Sequence, residues 1–237
     1  MLPRRTNKSG GNTLKIRKKY RKFADAVILL AAALLFTLLV KVVDVQPIGP
    51  QETSVGFAKV NKAFADLIGT NMLLYKLTQL LGYAALAVVA FFGFGGMMQL
   101  VKRKSLLKVD RELLGAGVLY VVVLALYVAF EKLIVNYRPV IMPDETVPEA
   151  SFPSSHTLLA CVVFGSAIIL ADTYVRKHKA RKTVRAVFAV LILVMVAGRL
   201  LSGVHWITDI IAGLLYSGSL LSAFKGYVDI PQPQRRN

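Results

Sequence analysis

The sequence predicts an all-α integral membrane protein, a bundle of six transmembrane helices. Of its 237 residues, 55% are hydrophobic and the mean hydropathy is +0.56, values that soluble domains seldom reach. The basic residues collect between alternate apolar stretches, as in proteins that cross a membrane repeatedly. The apolar residues form six runs, each close to the length of a membrane span, at 26–40, 80–100, 113–130, 157–171, 186–201 and 207–224.

The first span is preceded by a basic segment and followed by a helix break. Residues 1–22 are predicted to be a tail that is disordered at least to Leu14. Pro47, Gly49 and Pro50 end the first helix. A short amphipathic helix follows between the first and second spans, with one apolar face made of Phe57, Val60, Phe64, Leu67 and Ile68. Lys59, Asn61, Lys62 and Asp66 lie off that face, and the helix either guides a lipid or packs on the bundle.

The later spans show a glycine cluster and one short run. Gly93, Gly95 and Gly96 predict close helix packing near the end of the second span. The run 157–171 becomes long enough to cross a bilayer only if His156 and residues 172–174 extend it. We predict one membrane domain at 23–226 between a cytoplasmic tail at 1–22 and another at 227–237.

The net charge of +17 indicates orientation rather than nucleic-acid binding. Most Lys and Arg fall in four stretches that lie on one side of a six-span chain: 1–22, 102–111, 176–185 and the residues after 224. The positive-inside rule then places both termini in the cytoplasm. The expected partners are the lipid bilayer and a membrane lipid substrate, with no nucleic acid; the oligomeric state stays open.

Six polar residues are predicted to lie together at the extracytoplasmic ends of the spans, where ionisable groups indicate function. They are Arg138, Ser154, His156, Arg199, His205 and Asp209. Arg138 and Arg199 suit a phosphate clamp, because the guanidinium fork matches two phosphate oxygens. Ser154 and Ser155 begin the fourth span, where backbone N–H groups favour an anion. Tyr137 and Trp206 are predicted to lie in the aromatic belt of the interface.

The two histidines suit covalent phosphoryl transfer. His205 and Asp209 are four residues apart and share a face if the sixth helix has begun by then. Asp209 then accepts from one ring nitrogen, and the other nitrogen attacks phosphorus. His156 donates a proton to the leaving alkoxide. This chemistry needs neither a metal nor another cofactor.

These residues resemble the type 2 phosphatidic acid phosphatase superfamily, whose pattern is K-x6-R-P, P-S-G-H and S-R-x5-H-x3-D. Arg138-Pro139 matches the end of the first motif, and Pro153-Ser154-Ser155-His156 matches three positions of the second. Arg199, His205 and Asp209 match the third at full spacing. The resemblance implies His205 as nucleophile, Asp209 as its partner and His156 as acid.

The chain departs from the family pattern at three positions. Glu131 stands where the first motif has lysine, and Lys132 is one residue out of register. Glu131 is therefore a candidate to brace Arg138 or Arg199 instead. Gly198 replaces the serine before Arg199, which removes one hydroxyl, and Ser155 replaces the glycine of the second motif.

The sequence thus predicts a metal-independent membrane lipid phosphatase that acts at the extracytoplasmic face through a phosphohistidine. The resemblance implies undecaprenyl diphosphate, phosphatidylglycerol phosphate or phosphatidic acid as substrate. Two alternatives remain: a lipid phosphotransferase of the same superfamily, and a catalytically weak membrane protein that binds lipid or acts as a scaffold.

Overall fold

The described part of the chain is a bundle of seven helices joined by short turns and by two longer loops, at 43–57 and 133–154. The computed structural model describes residues 8–143 and 145–231, with side chains from residue 20 onward. Over these ranges the helices, in chain order, are α1 (Lys8–Val42), α2 (Ala58–Ile68), α3 (Met72–Arg103), α4 (Arg111–Lys132), α5 (Ser155–Tyr174), α6 (His178–Leu201) and α7 (Ile207–Val228). Six of them, all except α2, are long and apolar enough to cross a membrane. The predicted fold class is therefore confirmed, and the protein is a multi-pass membrane protein.

Helix α5 is the centre of the bundle, although its apolar run is the shortest. It packs against α3, α4, α6 and α7, while α1 lies along α7. Its apolar side chains are mostly buried, whereas α1, α3, α4 and α6 expose many large apolar residues, as a lipid-facing ring does. The helix begins at Ser155 and ends at Tyr174, so the extension expected on both sides of 157–171 is present.

The structure describes only part of the two tails that the sequence predicted. Helix α1 already begins at Lys8, so the stretch 8–22 is helical and not disordered. Extending an existing helix avoids the costly first turn, and the long span supplies that nucleus. Residues 1–7 and 232–237 lie outside the described part of the chain.

Helix α2 is present, but its buried face differs from the predicted one. Val60 and Leu67 are exposed, whereas Asn61 is fully buried. The Asn61 amide donates to the carbonyl oxygen of Gly56 at 2.7 Å and to Oγ1 of Thr208 at 3.0 Å. These hydrogen bonds satisfy the buried amide, so Asn61 packs on the bundle against the prediction. The rest of the predicted pattern holds in part, because Phe57, Phe64 and Ile68 are half-buried while Lys59, Lys62 and Asp66 are exposed.

The glycine cluster of α3 does not produce the predicted close packing. A Cβ atom added at Gly93 or Gly96 would meet nothing within 4 Å, and one at Gly95 would only touch Leu113 at 4.0 Å. The closest approaches of α3 occur nearer its start, where Gly82 faces His156. Gly93 and Gly96 instead border an open groove between α3 and α4.

The loops beside the N-terminal end of α5 hold each other closely. The backbone N–H of Asn71 donates to the carbonyl oxygen of Ser202 at 3.0 Å. Gly203 adopts a φ of +65°, and a Cβ there would lie 1.9 Å from the carbonyl oxygen of Gly69. Gly203 therefore allows the α6–α7 turn to touch the α2–α3 turn.

We predict that Gly203→Ala lowers the thermal unfolding midpoint in detergent strongly. The left-handed backbone and the overlap with Gly69 together cost about 3 kcal/mol. Gly69→Ala is the matched control, because Gly69 also has a φ of +65° but a Cβ there meets nothing within 4 Å. Equal decreases for the two variants would show that close approach at Gly203 is unimportant.

Candidate active site

The loop between α4 and α5 is fixed by backbone pairing, and this pairing positions Arg138. Tyr137 and Ala150 form an isolated antiparallel bridge, and the N–H of Arg138 donates to the carbonyl oxygen of Glu149 at 2.9 Å. Nε1 of Trp206 donates to the carbonyl oxygen of Tyr137 at 2.7 Å. Trp206 is only 4% exposed, so it fastens this loop to the start of α7 and is not an interface-belt residue as predicted.

Arg138 is braced by a glutamate that the sequence analysis did not single out. Its Nε lies 2.9 Å from Oε2 of Glu149. Glu131, the predicted brace, is exposed at the end of α4, and so is Lys132. Among the described residues, Glu131 pairs with neither Arg138 nor Arg199. Glu149 can replace it because the bridge folds the distant half of the loop back over Arg138.

Arg199 is fully buried near the end of α6, at 0% exposure. Its Nη2 donates to Nδ1 of His156 at 2.9 Å, and its Nη1 donates to Oγ1 of Thr78 at 3.2 Å. Its guanidinium carbon also lies 5.1 Å from the centre of the Tyr75 ring. No carboxylate of the described residues forms an ion pair with Arg199. A charge buried in this way is costly unless an anion arrives.

Thr78 supplies a hydroxyl at the place where this chain lacks the serine of the third motif. Gly198 stands at that motif position, and a Cβ there would lie 2.6 Å from Cγ2 of Thr78. Because Gly198 has no side chain, Thr78 of α3 can approach this position, and the Thr78 hydroxyl accepts a hydrogen bond from Arg199. Sequence analysis missed Thr78, and the only signal for it was the lost motif serine.

His156 lies at the start of α5 with a defined tautomer. A guanidinium only donates, so Nδ1 of His156 accepts from Arg199 and the proton of the neutral ring is on Nε2. The ring packs against α3 at Gly82, where a Cβ atom would come 3.1 Å from Nε2. The Nε2–H is therefore held as the donor of the ring.

His205 and Asp209 meet, although the helical premise of the prediction is wrong. Helix α7 begins at Ile207, so His205 lies in the preceding turn. Its Nδ1 is nevertheless 3.5 Å from Oδ2 of Asp209. The same carboxylate oxygen accepts the backbone N–H of Trp206 at 3.0 Å, which caps the helix and turns the chain back over Asp209.

His205 is kept neutral by its surroundings. Burial lowers the pKa of its imidazole well below the usual range, and the positive charges of Arg199 and Arg138 lower it further. His156 contributes in the same direction, so all three groups lie within electrostatic reach of His205. A neutral ring with Nδ1 turned towards Asp209 leaves Nε2 with an available lone pair.

The serines at the start of α5 have different surroundings. Ser154 is fully buried; its N–H donates to the carbonyl oxygen of Asp209 at 3.0 Å, and its Oγ accepts from Thr157 Oγ1 at 3.0 Å. The Ser154 amide is therefore not available to an anion. The next N–H groups, from Ser155 onward, lack acceptors within the helix, and no side chain caps them. Ser155 itself is half-buried and lines the groove between α3 and α4.

Several buried polar atoms of this cluster have no hydrogen-bond partner within the described parts of the chain. They are Nε and Nη1 of Arg138, Nε of Arg199, both ring nitrogens of His205 and Oδ1 of Asp209. Nε of Arg138 and Nδ1 of His205 each have a carboxylate oxygen nearby. Buried polar groups normally find partners, so a group of unpaired atoms indicates a ligand site. Three of the six belong to the two arginines, which suits an anion with several oxygens.

Comparison with known proteins supports this assignment of the fold. The chain is similar to a structure described as the first transmembrane PAP2 type phosphatidylglycerolphosphate phosphatase from Bacillus subtilis, with 19% sequence identity and a TM-score of 0.63. The match covers 89% of this chain and 99% of that one. None of the curated proteins compared with the chain matches it. The model of the PAP2 superfamily matches residues 112–229, which include all three motifs, whereas Thr78 lies outside this range. The resemblance predicted from the motifs is thus confirmed: the chain belongs to the PAP2 superfamily.

Proposed function

We propose that the protein is a membrane lipid phosphatase that works through a phosphohistidine on His205. The observation that carries this proposal is the electrostatic arrangement around His205. Arg138 and Arg199 both act on the imidazole, and each keeps a buried nitrogen without a hydrogen-bond partner among the described residues. A phosphate bound by these nitrogens lies against the one ring nitrogen of His205 that is free to attack.

Phosphate binding is the first step. Nη1 of Arg138 and Nε of Arg199 donate to phosphate oxygens, and the N–H groups at the start of α5 add further donors. These groups also stabilise the charge on the equatorial oxygens in the transition state. The positive charges of the two arginines are not fully balanced by negative groups of the protein. A phosphate dianion balances them, so the site favours a dianion.

Attack of His205 on phosphorus and hydrolysis of the phosphohistidine are the next two steps. Nε2 of His205 bonds to phosphorus, while the bond from phosphorus to the leaving oxygen breaks. When the phosphate binds, His156 takes up a second proton from solvent at Nδ1, and Nε2 of the charged ring gives its proton to that oxygen, which leaves a neutral ring. Asp209 stabilises the positive phosphoimidazole through Nδ1–H of His205. Water then attacks phosphorus, passes a proton to His156, and releases phosphate and neutral His205.

The substrate and the orientation complete the proposal. Undecaprenyl diphosphate, phosphatidylglycerol phosphate and phosphatidic acid all present a terminal phosphate that this site suits. The basic stretches lie at the helix ends opposite the site, which supports cytoplasmic termini and an extracytoplasmic active site. The lipid then enters sideways from the bilayer, because the exposed surface beside the site is apolar.

We predict that His205→Ala lowers phosphate release from a panel of lipid phosphates at least roughly a thousandfold, as expected for removal of a nucleophile. His178→Ala is the control, because His178 is exposed at the start of α6, at the end of the bundle opposite the site. Equal release by both variants and the unchanged protein would mean a contaminating phosphatase or a wrong mechanism, and release by none of them would support the scaffold alternative. Recovery of a phosphorylated alcohol in place of free phosphate would support the phosphotransferase.

The acid limb of the pH profile of kcat/KM tests the charge around His205. Because burial and the two arginines lower the pKa of His205, we predict that its protonation limits the rate only below pH 6.5, the usual value for histidine. Arg138→Gln removes one cation, so the pKa rises and the limb moves to higher pH; Arg138→Lys keeps the charge and the limb. Ionisation of the substrate is the same for all three proteins. A limb that stays in place in Arg138→Gln would contradict this account.

The brace on Arg138 gives a third test. We predict that Glu149→Gln lowers kcat/KM by about three- to tenfold, because a partly screened ion pair contributes about 1 kcal/mol to holding the guanidinium. Glu131→Gln is the matched change at the position that the motif comparison favoured, and it leaves kcat/KM within about twofold because surface changes have small effects. A larger effect at Glu131 than at Glu149 would restore the original prediction.

A further inference from the structure

An apolar groove of about 1130 Å³ runs between α3 and α4 and is backed by α5. Its walls include Gly82, Gly93 and Gly96 of α3 and Gly117 of α4. Side chains added at Gly93, Gly96 or Gly117 would meet nothing within 4 Å, so these glycines widen the groove without allowing helix contact. A hydrophobic cleft of this kind within a membrane domain suits a hydrocarbon chain.

The groove is continuous with the active site. Ser155 and His156 line its end nearest the catalytic residues, together with Gln79. Nε2 of His156, the proton donor of the proposed mechanism, lies on that side because the ring packs against Gly82. A lipid whose phosphate is bound at His205 therefore has its leaving oxygen near the mouth of the groove.

The groove is longer than one leaflet of a bilayer. Gly93 is eleven residues beyond Gly82 on α3, about 16 Å along the helix axis. A leaflet is about 15 Å of hydrocarbon, half of a core about 30 Å thick. The lining continues past Gly93 to Gly96 and Leu100 and reaches Leu106 and Val109 at the far turn. The far half of the groove thus lies beyond the reach of an ordinary fatty acyl chain anchored at the site.

We propose that this groove binds the tail of the substrate and that its far half, around Gly96 and Gly117, selects a single hydrocarbon chain long enough to cross the bilayer midplane. Polyprenyl phosphates are the class of lipid with such chains. The inference rests on the proposed phosphatase function and narrows its substrate. Chain length, rather than the headgroup alone, then determines the turnover of a lipid phosphate.

Farnesyl monophosphate and undecaprenyl monophosphate test this proposal, because they share a headgroup and differ in tail length. We expect the unchanged protein to show a higher kcat/KM for the undecaprenyl substrate. Gly96→Leu fills the far half, and loss of several buried methylene contacts lowers kcat/KM for this substrate by about tenfold while the value for farnesyl monophosphate stays within about twofold. We expect Gly117→Leu, which blocks the same region from α4, to give the same pattern. Because the two variants alter different helices, a shared pattern would not come from misfolding of one of them.

Gly95→Leu is the matched control. It is the same substitution on the adjacent residue, but Gly95 is not part of the groove lining, and a Cβ there approaches Leu113. We expect it to leave the ratio of the two kcat/KM values unchanged. A ratio near one in the unchanged protein, or an equal loss for both substrates in Gly96→Leu, would show that the groove holds only bulk phospholipid.

Failure of the phosphatase proposal gives a different result. In that case neither prenyl phosphate releases phosphate above the level of His205→Ala, whatever the groove contains. Turnover of farnesyl monophosphate that depends on His205, combined with no effect of tail length, would uphold the phosphatase and overturn the groove assignment. The two proposals are therefore tested separately by the same five proteins and two substrates.

Discussion

The buried charge of Arg199 is the constraint on which the site depends. Its guanidinium has no access to solvent and no carboxylate partner among the described residues, and it is held by a hydroxyl, an imidazole and an aromatic face. Neutral supports fix the position of the cation without cancelling its charge. A carboxylate in their place would form an internal ion pair and weaken the attraction for phosphate. In the proposed function, a bound phosphate dianion balances this unpaired charge of Arg199.

The same charge also acts on His205, the nucleophile of the proposed mechanism. Arg199 and Arg138 disfavour protonation of His205, which burial already opposes. In that mechanism, the cations that bind phosphate thus also keep the attacking ring neutral before the substrate arrives. Asp209 would have the opposite effect, because its negative charge favours the positive phosphoimidazole that would form after attack. The proposed mechanism therefore needs a neutral ring in the free site and a positive one in the loaded site, and the two arginines and Asp209 suit these two states.

The sequence predicted what is encoded by composition and by spacing within one segment. Apolar runs predicted six spans, and the spacing His205-x3-Asp209 predicted two residues that do meet. The helical explanation of that meeting was wrong, because the Asp209 carboxylate caps α7 and starts the helix at Ile207. Contacts between distant segments were not predictable in this way: Glu149 reaches Arg138 through a loop bridge, and Thr78 reaches Arg199 because Gly198 leaves room. The spacing of residues along one segment does not indicate which residues of a distant segment will contact it.

Helix α3 links the headgroup site to the tail groove, although it lies outside the region matched by the family model. Its first turns approach α5 and α6 closely and hold Arg199 through Thr78, while its later turns stand away from α4. Glycine permits both arrangements: at Gly82 it lets the His156 ring approach, and at Gly96 it leaves open space. If the groove binds the tail as proposed, side chains in the later turns of α3 can vary the tail that is accepted without touching the His205 and Asp209 pair. Such a separation would let the proposed catalytic residues act on lipids that differ mainly in their hydrocarbon chains.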